Sequence, residues 1–146
     1  MKKLLFTLIT VVGLFASVSA QASYTLYWPP GSWNTPKSWG PAALSMPQIG
    51  TTFGVSWRKN HCSRMMLLIG AQHIGARHKI TIPFIDGWLL TSAEYREIIN
   101  YNQDRRLWVI PNDPGLIGGR FYIQYVTDNC LGLSNFSSVG MGVIGR

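Results

Sequence analysis

The side chains of this 146-residue chain with the most scope for chemistry are two cysteines, three histidines and six carboxylates. The carboxylates are Asp86, Glu94, Glu97, Asp104, Asp113 and Asp128. Glycoside hydrolysis needs two of these facing one another across a cleft, yet four stand in segments that read as turns, so surface carboxylates are the simpler account. His73 and His78 offer a metal two imidazoles without an evident third ligand, and His61 stands in a basic turn. All three are expected to be solvated, with no metal and no cofactor. Asp113, Asp128 and Asn129 carry oxygens suited to calcium, but the dense alternation of acidic residues that marks a strong site is missing. Neither G-x-S-x-G nor H-E-x-x-H occurs. The expectation is a protein without enzymatic activity.

Cys62 and Cys130 lack the C-x-x-C spacing of a metal or redox pair. Residues 1–20 supply their context. Lys2 and Lys3 precede the apolar run 4–15, and Val18-Ser19-Ala20 gives small residues where a signal peptidase cuts, the layout of a secretory leader rather than a membrane anchor. Cleavage near Ala20 leaves 126 residues in an oxidising compartment, extracellular or periplasmic, where a Cys62–Cys130 disulfide is the default expectation. Closing a loop of that length contributes about 4 kcal/mol on a chain-entropy basis. No second apolar run is long enough to span a bilayer.

Two sets of residues read as candidate ligand contacts. Trp28, Trp33 and Trp39 lie in a Pro-, Gly- and Ser-rich stretch, where exposed indoles would stack on sugar rings; the plainer role is to cap the core. Arg58, Lys59 and Arg77 belong to basic clusters that also include Arg64, Lys79, Arg105 and Arg106. The full chain has 13 basic and 6 acidic side chains, a net charge of +7; without the two leader lysines, 11 basic residues remain and the excess is +5. Outside the cell such a balance suits an anionic polysaccharide, an envelope surface or an acidic partner protein rather than nucleic acid. Basic residues on edge strands also keep sheets from aggregating.

The elements that must position these residues are short strands. Residues 51–58 alternate, with Thr51, Phe53, Val55 and Trp57 on one face. The run 65–69 is apolar throughout, as in a strand buried on both faces. Residues 79–85 read as one strand, with Pro83 at an edge or bulge, and Asp86-Gly87 as a turn. Residues 91–100 fit a helix opened by a Thr91…Glu94 capping box or a strand; we favour a strand over 96–99 forming a hairpin with 105–110. Leu107 and Val109, then Phe121, Ile123 and Tyr125, supply further period-2 faces. The expected fold is all-β, an antiparallel β-sandwich of about seven or eight short strands. The expected domains are a leader over 1–20, a Trp/Pro-rich arm over 21–46, and the sandwich over 47–146.

Residues 110–114 (Ile-Pro-Asn-Asp-Pro), 116–118 (Leu-Ile-Gly), 121–124 (Phe-Tyr-Ile-Gln), Asp128 and 131–135 (Leu-Gly-Leu-Ser-Asn) together resemble a small secreted bacterial β-sandwich domain often found at the C-terminal end of long extracellular proteins. Residues 47–53, 67–70 and 142–145 extend the likeness. The resemblance implies an extracellular accessory or adhesion-type module and brings no catalytic residues with it. The residues also have physical roles of their own. Asn112 and Asp113 can cap a turn between two prolines, Gly118-Gly119 permits a left-handed backbone, and Gln124 can bond backbone across the sheet.

The expected function is therefore a secreted, non-enzymatic structural or binding module. A carbohydrate-binding protein using the tryptophans is the first alternative, and a small secreted hydrolase the second.

Overall fold

In a computed structural model of the chain, the residues described are 20–27, 40–57, 65–73, 79–82, 85–89, 91–100, 102–128 and 134–146. Among them eleven strands form: β1 (Ser23–Tyr27), β2 (Ala42–Ala43), β3 (Thr52–Ser56), β4 (Met65–Gly70), β5 (Lys79–Ile82), β6 (Ile85–Trp88), β7 (Tyr95–Ile99), β8 (Arg105–Val109), β9 (Arg120–Asp128), β10 (Ser134–Phe136) and β11 (Val139–Val143). Eight belong to one sheet; β2, β3 and β8 form the other, in that order. Nearly all pairings are antiparallel, and β10 runs parallel to β6 over two residues. The chain forms the all-β sandwich that its alternation implies.

The nine-residue β9 organises the larger sheet. It pairs with β4 over six residues, and with β11 and β10 along its other edge. Beyond β4 lies β7, beyond β11 lies β1, and beyond β10 lie β6 and β5. Between β10 and β11 the ladder is completed by side chains. Ser137 Oγ accepts from the Tyr125 N–H at 3.0 Å, and the buried Gln124 amide donates to the Ser137 carbonyl at 2.8 Å. The polar residue in an aromatic strand therefore bonds backbone across the sheet.

The core lies where the inward faces of the two sheets meet. Phe53, Val55 and Trp57 project from the smaller sheet onto Met65, Leu67, Ile99, Ile123 and Tyr125 of the larger, and all of these are buried. Each such side chain stabilises the fold by about 1.5–3 kcal/mol on burial. The run 65–69 meets partners on both faces: Leu67 lies in this core, and Leu68 packs with Ala93 and Phe136 in a second cluster on the far side.

Five local expectations are corrected. Residues 79–85 are not one strand, because β5 turns back onto β6 with Ile82 paired to Ile85. Asp86-Gly87 is not a turn but lies within β6. Residues 95–99 are a strand, yet β7 and β8 do not form a hairpin: β7 pairs with β4, and β8 pairs with β3 in the opposite sheet. No capping box forms, because Ala93 takes a left-handed backbone (φ 53°) and Glu94 accepts from the Ser92 hydroxyl and the Ala71 N–H. Finally, Leu107 and Val109 face outward, and the inward positions of β8 belong to Arg106 and Trp108. A one-residue shift in register exchanges the faces of a strand.

Both described ends of the 21–46 segment are strands. β1 pairs with β11 over five residues and β2 pairs with β3. The Tyr24 hydroxyl donates to the Pro41 carbonyl at 2.8 Å, which ties the two ends together.

Candidate functional site

The residues singled out from the sequence as ligand contacts, Trp28, Trp33, Trp39, Arg58, Lys59 and Arg77, lie outside the described residues, as do Cys62 and Cys130. Other candidates can be placed. His73 is half-buried rather than solvated, its ring centroid 5.7 Å from that of Tyr122. Asp113 accepts from the Gly115 N–H at 2.8 Å and caps the 3-10 turn Pro114–Leu116. Arg105 meets Asp104 at 3.2 Å, and Arg106 meets Glu97 at 2.7 Å. Among the described residues no three His, Cys, Asp or Glu side chains gather in a way that would hold a metal.

The Arg106–Glu97 pair marks one edge of the sandwich. Arg106 stands opposite the buried Val55 in the smaller sheet, and Glu97 opposite the buried Leu67 in the larger. The two charged groups therefore close the core at this edge and hold β7 against β8. One step further along β8 in the same orientation is Trp108, which pairs with Phe53, and the corresponding step along β4 is Ile69. Here the sheets no longer close on one another, and a cavity of about 240 Å³ opens between them.

An aromatic cluster forms its wall. The Trp108 ring stacks on Phe53 with centroids 6.2 Å apart, and Phe121 meets Phe53 edge-on at 5.2 Å. Phe121 can lie there because Gly142 faces it across the β9–β11 ladder; a Cβ on Gly142 would strike the Phe121 ring. Ile69, Ile123 and Ile144 continue the lining, and Ile110, Pro111 and Leu116 close the end. Val109 contributes at the mouth, where it is 76% exposed.

The loop that ends the cleft is fixed by its backbone. Gly50 N–H donates to the Ile110 carbonyl at 3.0 Å, Gly118 N–H to Ile144 at 2.8 Å, and Ile144 N–H to Gly119 at 2.9 Å. Gly118 has φ 83°, a left-handed conformation that glycine adopts without strain. The cavity is thus preformed, like most small-molecule sites, and its lining offers hydrocarbon, indole and proline surface. It can exclude water from an apolar group. The described residues that line it include no nucleophile or general base.

A second feature adjoins it. β8 is an edge strand of its sheet. Trp57 N–H donates to the Asp104 carbonyl and Ile110 N–H to the Thr51 carbonyl, so the even-numbered residues from 104 to 110 turn their backbone groups toward β3. By alternation, the N–H and C=O of Arg105, Leu107 and Val109 point away from the sheet.

This cleft was hidden in the sequence because each lining residue reads individually as core. The one usable signal was an apolar outward face at Leu107 and Val109, on a strand whose inward face also carries Trp108. The fold and site define an all-β sandwich with an apolar cleft at one corner. No protein-family model, curated protein or solved structure matches the chain.

Proposed function

We propose that the protein is an exported, non-enzymatic binding module whose binding element is the apolar cleft between β3, β8 and β9. The observation that carries this reading is the cavity itself. Protein interiors pack to crystal density, and unfilled apolar space costs stability in proportion to its volume. An engineered apolar cavity of about 150 Å³ already takes up benzene, and this one, at about 240 Å³, is larger and opens to solvent. A ligand that fills it restores contacts which the fold alone leaves unmade. The leader-like residues 1–20 support export, and the resemblance of residues 110–135 to an extracellular sandwich module supports a role in binding.

Toluene is a suitable probe, because it is apolar and fits a cavity of this size. At a hundred times its Kd it should raise stability by about 2.7 kcal/mol, a Tm increase of roughly 5–10 °C for a domain of this length. Leu116→Trp, which adds bulk at the end of the cleft, should fold and show no such increase. A Tm that toluene leaves unchanged in the parent protein, or raises equally in Leu116→Trp, rejects the cleft as the binding element.

A further inference from the structure

The cleft and the outer edge of β8, which no other described strand pairs, meet at Trp108 and Val109. We infer that the natural occupant is an extended peptide segment of a partner protein, which pairs with the outer edge of β8 and places one apolar side chain in the cleft. This inference rests on the cleft being a binding site and adds the class of ligand.

An edge strand presents a row of unpaired backbone groups that templates a further strand. In recognition by strand addition, main-chain hydrogen bonds supply affinity, and pockets for alternate side chains supply selectivity. β8 provides both elements. The outward N–H and C=O groups of Arg105, Leu107 and Val109 are spaced for three hydrogen-bonded pairs with an antiparallel neighbour. A residue of that neighbour opposite Trp108 projects to the same side as the Trp108 ring, toward the cleft. Its two flanking residues project to the other side, beside Leu107 and Val109, which are 54% and 76% exposed. The residue opposite Arg105 lies beside a side chain that is 63% exposed and meets Asp104 through Nε alone among the described residues, so a second carboxylate complements the outer face of its guanidinium there. The fitting segment thus reads, from its N-terminus, β-branched, large apolar, β-branched, small, acidic.

The probe is the acetylated, amidated peptide Thr-Val-Phe-Val-Thr-Glu-Thr, titrated against protein expressed from the full 146-residue sequence, with toluene as competitor. The peptide should bind saturably and be displaced by toluene. N-methylation of its two valines, whose N–H groups face β8, should weaken binding about tenfold or more. N-methylation of the phenylalanine, whose N–H faces away, should change it less than about threefold, and replacing that phenylalanine by alanine should again cost about tenfold. If toluene binds and the peptide does not, the peptide inference falls and the cleft reading stands. If the two N-methylation patterns weaken binding equally, strand pairing is excluded. If neither probe binds, both readings fall.

Discussion

The guanidinium of Arg106 on β8 lies 2.7 Å from the carboxylate of Glu97 on β7, and so joins the edge of one sheet to the edge of the other. The pair is partly screened, with side chains 39% and 23% exposed, and it sits at the level of Val55 and Leu67. Exposed pairs contribute about 0.2–1 kcal/mol, and this geometry belongs at the upper end of that range. A double-mutant cycle of Glu97→Gln and Arg106→Gln, followed by urea unfolding, should give a coupling of about 1 kcal/mol. The same variants should loosen the cleft beside them and weaken toluene binding.

Gln124 is fully buried, and its amide satisfies the Ser137 carbonyl at a point where no strand does. Gln124→Leu keeps the volume and removes the donor. It should cost about 1–3 kcal/mol, the penalty for a buried polar group left unpaired. Ser137→Ala should cost a similar amount, because the Ser137 hydroxyl both accepts from Tyr125 N–H and donates to the Ser138 carbonyl. Urea midpoints of the two variants test this directly.

Gly142 is required by the Phe121 ring, which occupies the space of its missing side chain. Gly142→Ala should destabilise the protein by about 1–3 kcal/mol through overpacking. Combining it with Phe121→Leu should recover part of that loss, because the shorter side chain vacates the contact. Additive penalties in thermal unfolding would show that the close approach is not the cause.

Alkaline pH should unfold the protein through the partly buried Tyr24 and the buried Tyr125. Burial, and then the neighbouring Tyr125, hold the Tyr24 phenol well above the ordinary tyrosine value of 10.0; burial does the same for Tyr125. Both phenols stay neutral in the folded state and ionise in the unfolded chain above about pH 10. Their contribution to stability is complete below that pH and is lost as pH rises toward the folded-state values. The slope should approach about 2.7 kcal/mol per pH unit for two such groups. In Tyr24→Phe it should fall by about half, as read from urea unfolding between pH 9 and 12.

Much of the sandwich was legible because alternation reports burial directly. Phe53, Val55 and Trp57 face the core as their spacing implies, and the apolar run at 65–69 packs on both faces. Connections were less legible. The turn signal between β7 and β8 is genuine: Gln103 N–H donates to the Asn100 carbonyl at 3.0 Å. A local turn, however, does not record whether the chain returns to the same sheet or crosses to the other. Here the Trp57 indole, which donates to the Gln103 carbonyl at 3.0 Å, helps bind the turn to the smaller sheet. On β8, apolar residues at 107, 108 and 109 fit either face, and the choice depends on Phe53, far away in sequence. The cleft was least legible, since a cavity arises from what several strands fail to fill.

The most direct test of a binding cleft is a methyl NMR titration of the protein with toluene. The δ1-methyl resonances of Ile69, Ile110, Ile123 and Ile144 should shift together along one saturable curve and show NOEs to the toluene ring. Those of Ile98, which is 67% exposed, and Ile99, in the core opposite Met65, should stay in place. Shifts that centre on Ile98, or no saturable shift at the four lining isoleucines, would contradict the account.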